Sequence, residues 1–249
     1  MILMWVGIAI VGFAAILLIV FTILFKEHKG YPIRQMPKIS RWMRAHTAAI
    51  ERQGYQNIFL GQHLFCPAFP GVGYHVLSIL PTLLGPEIGW GGGVRVSAGD
   101  GSLVVLAREI IQGRYREGYH PNLNASGVQT HLYGPTPLSV TAGLLPELHD
   151  KPYHSVAFLG VYGPEVLTIA TTARRLGGHV FVASGNLISQ ATLFASVEDQ
   201  LIGEEIFMLP GILDPKAKIQ SALLTEDILR LLLILVLIVL AILKLVALL

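Results

Sequence analysis

Six short segments bring together residue types that can do chemistry. Ala98-Gly99-Asp100-Gly101-Ser102 joins a β-rich run to a helical one. The backbone N–H groups of such a turn can hold an anion at a helix N-terminus. Asp100 or Ser102 equally serves as the N-cap that any helix wants. The turn is not G-x-G-x-x-G and lacks the lysine of a P-loop, so it is no nucleotide fingerprint. Gly71-Val72-Gly73 lies nearer a dinucleotide pattern, but Pro67 and Pro70 separate it from the preceding strand. Ser184-Gly185-Asn186 follows a second β-rich run and offers a hydroxyl and an amide to a ligand, without the G-x-S-x-G elbow of a hydrolase. Tyr133-Gly134-Pro135 and Tyr162-Gly163-Pro164 form a short internal repeat in which a strand ends in Tyr, Gly turns the chain and Pro opens a helix. They read either as one turn solution used twice or as matching halves of a ligand cleft. Glu165 falls in a helical first turn, where the macrodipole favours a carboxylate without functional need. Glu204 and Glu205 are adjacent carboxylates, suited to acid/base work or a cation, or to a solvated helix start.

Other chemistries are excluded. The nine histidines are scattered, His63-x-x-Cys66 has no second ligand pair, and His149 and His154 lack metal spacing. No metal and no cofactor is expected. Cys66 is the single cysteine, which rules out an intrachain disulfide. The formal charge is +2, and much of the basic excess clusters in one stretch rather than on an aromatic-basic platform, so nucleic acid is not an expected partner.

The elements that must position these residues alternate. Strands are expected at Ile58–Leu60, Val94–Ser97, Thr130–Tyr133, Ser155–Val161, Val180–Ala183 and Gln200–Ile202. Helices are expected near Tyr74–Leu84, over Ser102–Tyr115, up to Leu148, up to Arg175 and up to Val197. Leu103, Leu106, Ala107, Ile110 and Ile111 keep the i, i+3, i+4, i+7, i+8 spacing of a buried stripe. Gly177-Gly178 is expected to cap its helix with left-handed residues. Alternation of this kind implies βαβ units, hence a Rossmann-like, doubly wound α/β domain with a mainly parallel sheet of about five or six strands. Its ligand edge is the carboxyl ends of the strands, near Asp100, Tyr133, Tyr162 and Ser184.

The ends of the chain read differently. Apolar residues make up 53% of the sequence and charged ones only 14%, against about 25% charged in ordinary soluble domains. Ile2–Phe25 holds no charged residue, and Ile228–Leu249 holds only Arg230 and Lys244. About 20 apolar helical residues span a bilayer. The expected plan is a transmembrane helix over 1–25, a basic linker and amphipathic helix over 26–54, an α/β domain over 55–225 and a second transmembrane helix over 226–249. The linker helix, Ile39–Gln53, places Trp42, Ala45, Ala49 and Ile50 on one stripe, to lie against headgroups or to begin the domain. Lys26, Lys29, Arg34, Lys38, Arg41 and Arg44 follow the first span, which puts the domain in the cytoplasm and both termini outside.

Phe158-Leu-Gly-Val-Tyr-Gly-Pro-Glu-Val-Leu167, Val180-Phe-Val-Ala-Ser-Gly185 and Asp199-Gln-Leu-Ile-Gly-Glu-Glu-Ile-Phe207 resemble an uncharacterised family of bacterial membrane proteins with a Rossmann-like domain of unknown function. Leu201-Ile-Gly-Glu-Glu205 is the most specific part, and Glu165, Asp199, Glu204 and Glu205 match recurring positions of that family. Cys66–Gly73 departs from it by its proline and aromatic content. The resemblance implies an inner-membrane protein and supplies no reaction. Three functions follow, in order: a membrane-anchored assembly protein that forms homo-oligomers, a sensor holding a small anionic ligand at the sheet edge, and an enzyme using Glu204 or Glu205.

Overall fold

A computed structural model describes residues 12, 16, 19, 20, 23, 37–51, 55–61, 71–84, 93–117, 128–151, 153–203, 205–213 and 217–248. Most of the first apolar segment, residues 26–36 and 52–54 of the basic linker, and Glu204 lie outside these residues. The chain divides into two compact units, residues 36–213 and residues 1–35 with 214–249.

In the larger unit six strands form one sheet: β1 (Tyr55–Phe59), β2 (Val94–Ala98), β3 (Val128–Leu132), β4 (Tyr153–Gly160), β5 (His179–Ser184) and β6 (Asp199–Leu201). Their order is β3-β2-β1-β4-β5-β6, and every pairing is parallel. This is the doubly wound order, with its switch point between β1 and β4. The longest strand, β4, is central, and Ser155–Gly160 is buried throughout, as a strand covered on both faces must be.

One face carries α1 (Pro37–Glu51), α2 (Val72–Leu84), α3 (Gly101–Glu117) and α7 (Glu205–Leu213). Their core joins Trp42, Leu80, Leu103, Ala107 and Leu209 to Ile58, Val96, Ala157, Leu159, Phe181 and Ala183. The other face carries α4 (Pro137–Asp150), α5 (Val166–Arg175) and α6 (Leu187–Phe194), packing Leu144, Ile169 and Leu193 on Phe59, Val156, Phe158 and Val182. Alternation along β4 and β5 supplies both cores, and a fully buried Phe such as Phe158 or Phe181 contributes about 1.5–3 kcal/mol.

Two turns differ from expectation. Pro135 does not open α4: Thr136 is the N-cap, accepting from the Ser139 N–H, and Pro137 takes the first helical position. Pro164 likewise precedes the N-cap Glu165 of α5. Of the glycine pair after α5 only Gly177 is left-handed, at φ +87°. Its N–H donates to Arg174 O at 3.0 Å and that of Gly178 to Ala173 O at 2.9 Å, a Schellman cap.

The smaller unit contains α8, which runs unbroken over Ala217–Leu248 for 32 residues. Its side chains are described from Ser221 to Ile238, Leu235 apart, and among the described residues no helix is long and apolar enough to cross a membrane.

Candidate functional site

Parallel strands deliver every described candidate to one edge of the sheet, the carboxyl edge. At the end of β2, Gly99 donates its N–H to Gly61 O at 2.9 Å, and Asp100 Oδ1 accepts from the Ser102 N–H at 2.7 Å, closing the turn that starts α3. At the end of β6, Glu205 Oε2 accepts from the Ile202 N–H at 3.0 Å. Glu204 lies outside the described residues.

The β4 and β5 ends meet directly. Tyr162 is buried, and its hydroxyl donates to Phe158 O at 3.1 Å. Burial drives its pKa well above the usual range against the pull of a Ser184 bond, so it stays a neutral donor. Ser184 is fully buried, 2.5 Å from Ser189 Oγ, and accepts from the Asn186 N–H at 3.1 Å. Asn186 donates Nδ2 to Tyr162 O at 3.1 Å and accepts the Ile188 N–H at 3.0 Å as the N-cap of α6. Glu165 turns back to accept the Gly163 N–H at 2.9 Å.

Tyr133 sits apart from Tyr162, because β3 is an edge strand and β4 is central. Its ring lies against α4 where Gly143 leaves room, and its hydroxyl donates to Glu147. Glu147 also receives Arg95 and the Tyr153 hydroxyl. Burial raises the Tyr133 pKa to about 12, against the pull of the Arg95 charge. The Tyr-Gly-Pro repeat is therefore two unlike turns, one buried beside β5 and one clamped to α4.

At the switch point Gly61 and Gly160 have φ of +88° and +127°. A Cβ on Gly61 would lie 2.8 Å from Val161 N, and one on Gly160 would lie 2.7 Å from Leu60 O. Backbone meets backbone where a doubly wound domain opens its crevice.

Sequence reasoning missed Gln190. It donates Nε2 to Ser184 O at 2.7 Å, accepts the Gly203 N–H at 3.1 Å, and its own carbonyl accepts from Gln200 Nε2 at 2.9 Å. It also missed the Arg95–Glu147 pair and the buried His46, whose Nε2 donates to Leu83 O at 2.8 Å. No spacing rule exposes such residues, since their partners lie at separations from 6 to 52 positions with no common period. Among the described residues no three His, Cys, Asp or Glu side chains group as metal ligands.

What the fold and edge define is a doubly wound α/β domain whose carboxyl-edge polar groups bind one another. Residues 75–249 match the family DUF6754, described as a domain of unknown function, and the chain belongs to that family. No curated protein matches the sequence. The structure accounts for the segment that carries the likeness. Asp199 accepts from His179 Nε2 at 3.1 Å and pairs with Arg41 at 3.3 Å, Gly203 makes a left-handed turn at φ +63°, and Glu205 closes it.

Proposed function

We propose that this is a membrane-anchored assembly protein whose α/β domains self-associate through the carboxyl edge of the sheet, on the cytoplasmic side of a bacterial inner membrane. One observation carries the reading. At the edge where open α/β sheets hold ligands, large apolar side chains stand in solvent: Leu138 at 79%, Leu187 at 73%, Ile188 at 60% and Leu132 at 54% exposure. They occupy the end of β3 and the first turns of α4 and α6, while the polar candidates between them are engaged in turns and caps. Exposed apolar surface of this kind marks interfaces. Covering one such leucine contributes about 1.5–3 kcal/mol to association.

The proposed anchors rest on the two apolar ends of the sequence. At about 1.5 Å per residue a helix needs about 20 residues for the hydrocarbon core. Ile228–Leu249 is almost purely Leu, Ile and Val, without the small-residue seam that drives tight helix pairing, so a stable assembly needs the domain. Mass measurement in mild detergent tests the reading. The wild-type chain should run as an oligomer, and the triple variant Leu138→Glu, Leu187→Glu, Ile188→Glu as a monomer of unchanged circular dichroism. A wild-type monomer at low micromolar concentration, uncrosslinked in native membranes, would overturn the assembly reading and favour the anionic-ligand sensor.

A further inference from the structure

We propose that α1 is a releasable strap, docked on the sheet in one state and on an anionic lipid surface in another. The inference rests on the membrane anchorage argued above. Its starting point is the seat of α1, which is polar where a domain core is normally apolar. Gln56, Ser155 and His179 are in register across β1, β4 and β5, and Asp199 on β6, which stands opposite Phe181, meets His179 at 3.1 Å. Gln56, Ser155 and Asp199 are buried, and the side chain of His179 is one-third exposed. Across this row α1 is held by polar bonds. Lys38 Nζ donates to Gln200 O at 2.9 Å, Arg41 pairs with Asp199, and His46 contacts Leu83 O and, at 3.5 Å, Ser155 Oγ.

The fit is incomplete. Among the described residues Trp42 Nε1, both polar atoms of the Gln56 side chain and His179 Nδ1 are buried without a protein partner. Buried polar atoms left unpaired oppose the docked state, and lifting α1 hydrates all of them together. The apolar contribution of the helix is Ile39, Trp42 and part of Met43, with Trp42 stacked on Phe181 at 4.4 Å. Released, the same helix presents Ile39 and Trp42 on one side, with Lys38, Arg41 and Arg44 beside them. Tryptophan favours the membrane interface, and lysine and arginine favour anionic headgroups. Lys26, Lys29 and Arg34 immediately precede it in the chain.

The test uses the full chain with Trp5→Phe and Trp90→Phe, which leaves Trp42 as the sole tryptophan, reconstituted in vesicles whose lipids carry bromine near the headgroup end of their chains. Trp42 emission should fall by about half in phosphatidylglycerol vesicles and stay unchanged in phosphatidylcholine. Gln56→Leu, which makes the seat apolar, should weaken the quenching. Asp199→Asn, which removes an ion pair while leaving the charge of α1 intact, should strengthen it. Should Gln56→Leu fail to fold, Asp199→Asn and the lipid comparison still decide. Unquenched emission in phosphatidylglycerol, with the protein floating with the vesicles, would overturn the strap and leave the anchor standing. Equal quenching in both lipids would overturn charge-selected release. A chain that does not float with the vesicles would overturn the anchor on which the strap rests.

Discussion

Gln190 ties together three segments of the carboxyl edge: the end of β5, the start of α6 and the turn after β6. Its replacement by alanine keeps the fold but strips a buried carbonyl and a part-buried N–H of their partners. Each such loss costs about 1–3 kcal/mol. Gln190→Ala should therefore lower stability by about 2 kcal/mol, seen as a fall of roughly 4–8 °C in Tm at this domain size. A variant melting like wild type would mean that the edge is held elsewhere. His46 supplies the pH dependence at this scale. Burial lowers its pKa, and the Leu83 bond only partly restores it. Between that depressed value and 6.5 the unfolded chain binds the proton and the folded one does not. Stability is therefore full above about 6.5 and falls as pH drops toward the folded value. His75 and His131 are lowered too, chiefly by burial, and add in the same sense. His46→Gln keeps a donor for Leu83 O and cannot titrate, so its Tm should fall less than that of wild type between pH 7.5 and 5.5. Equal falls would acquit His46.

At the scale of elements, the strands and helices were legible because their signals are local. The five-residue apolar stripe of α3 shows in the sequence, and Leu103, Ala107 and Ile111 are its buried members. The α/β alternation fixed the parallel sheet. It did not fix the order of strands, which depends on which face each helix covers, nor the separation of Tyr133 from Tyr162, which follows from that order. The stripe expected for α1 runs through Trp42 and Ala45, whereas the buried side chains among its described residues are Ile39, Trp42 and His46. A histidine counts as polar in a periodicity argument, and only the third dimension shows that Ser155 and Leu83 O await it. The candidate site was legible as a location and not as an arrangement: caps and Asx turns use the same Asp, Ser, Asn and Glu that ligand sites use. The Schellman cap was legible and can be priced. Gly177→Ala forces a side chain into φ +87° with open space around it, so the cost is backbone strain alone. About 1 kcal/mol is expected, as a Tm loss of roughly 2–4 °C with unchanged oligomeric mass. A larger loss would show that α5 ends under more strain than its hydrogen bonds suggest.

At the scale of the whole molecule the proposed membrane anchorage carries a prediction of orientation, which rests on charge. The stretch after the first apolar segment carries Lys26, Lys29, Arg34, Lys38, Arg41 and Arg44, with Glu27 the only acid before Glu51. Basic residues next to a span are retained in the cytoplasm, and acidic ones weigh little. The approach to the second apolar segment, Glu226, Asp227 and Arg230, has no such bias, and Arg230 is already paired with Glu226 at 2.6 Å. If both segments span the bilayer, as proposed, both flanks of the domain share one compartment, and the first sets the orientation for both. On the same proposal Lys244 would lie near the far interface, which a lysine's long stem can reach along a helix. In a Cys66→Ser background, a cysteine at the exposed Arg108 on α3 should resist a membrane-impermeant thiol reagent in intact cells and react after lysis. A cysteine at Leu249 should react in intact cells. Labelling at position 108 before lysis would invert the topology, and with it the anionic surface that a basic α1 would meet.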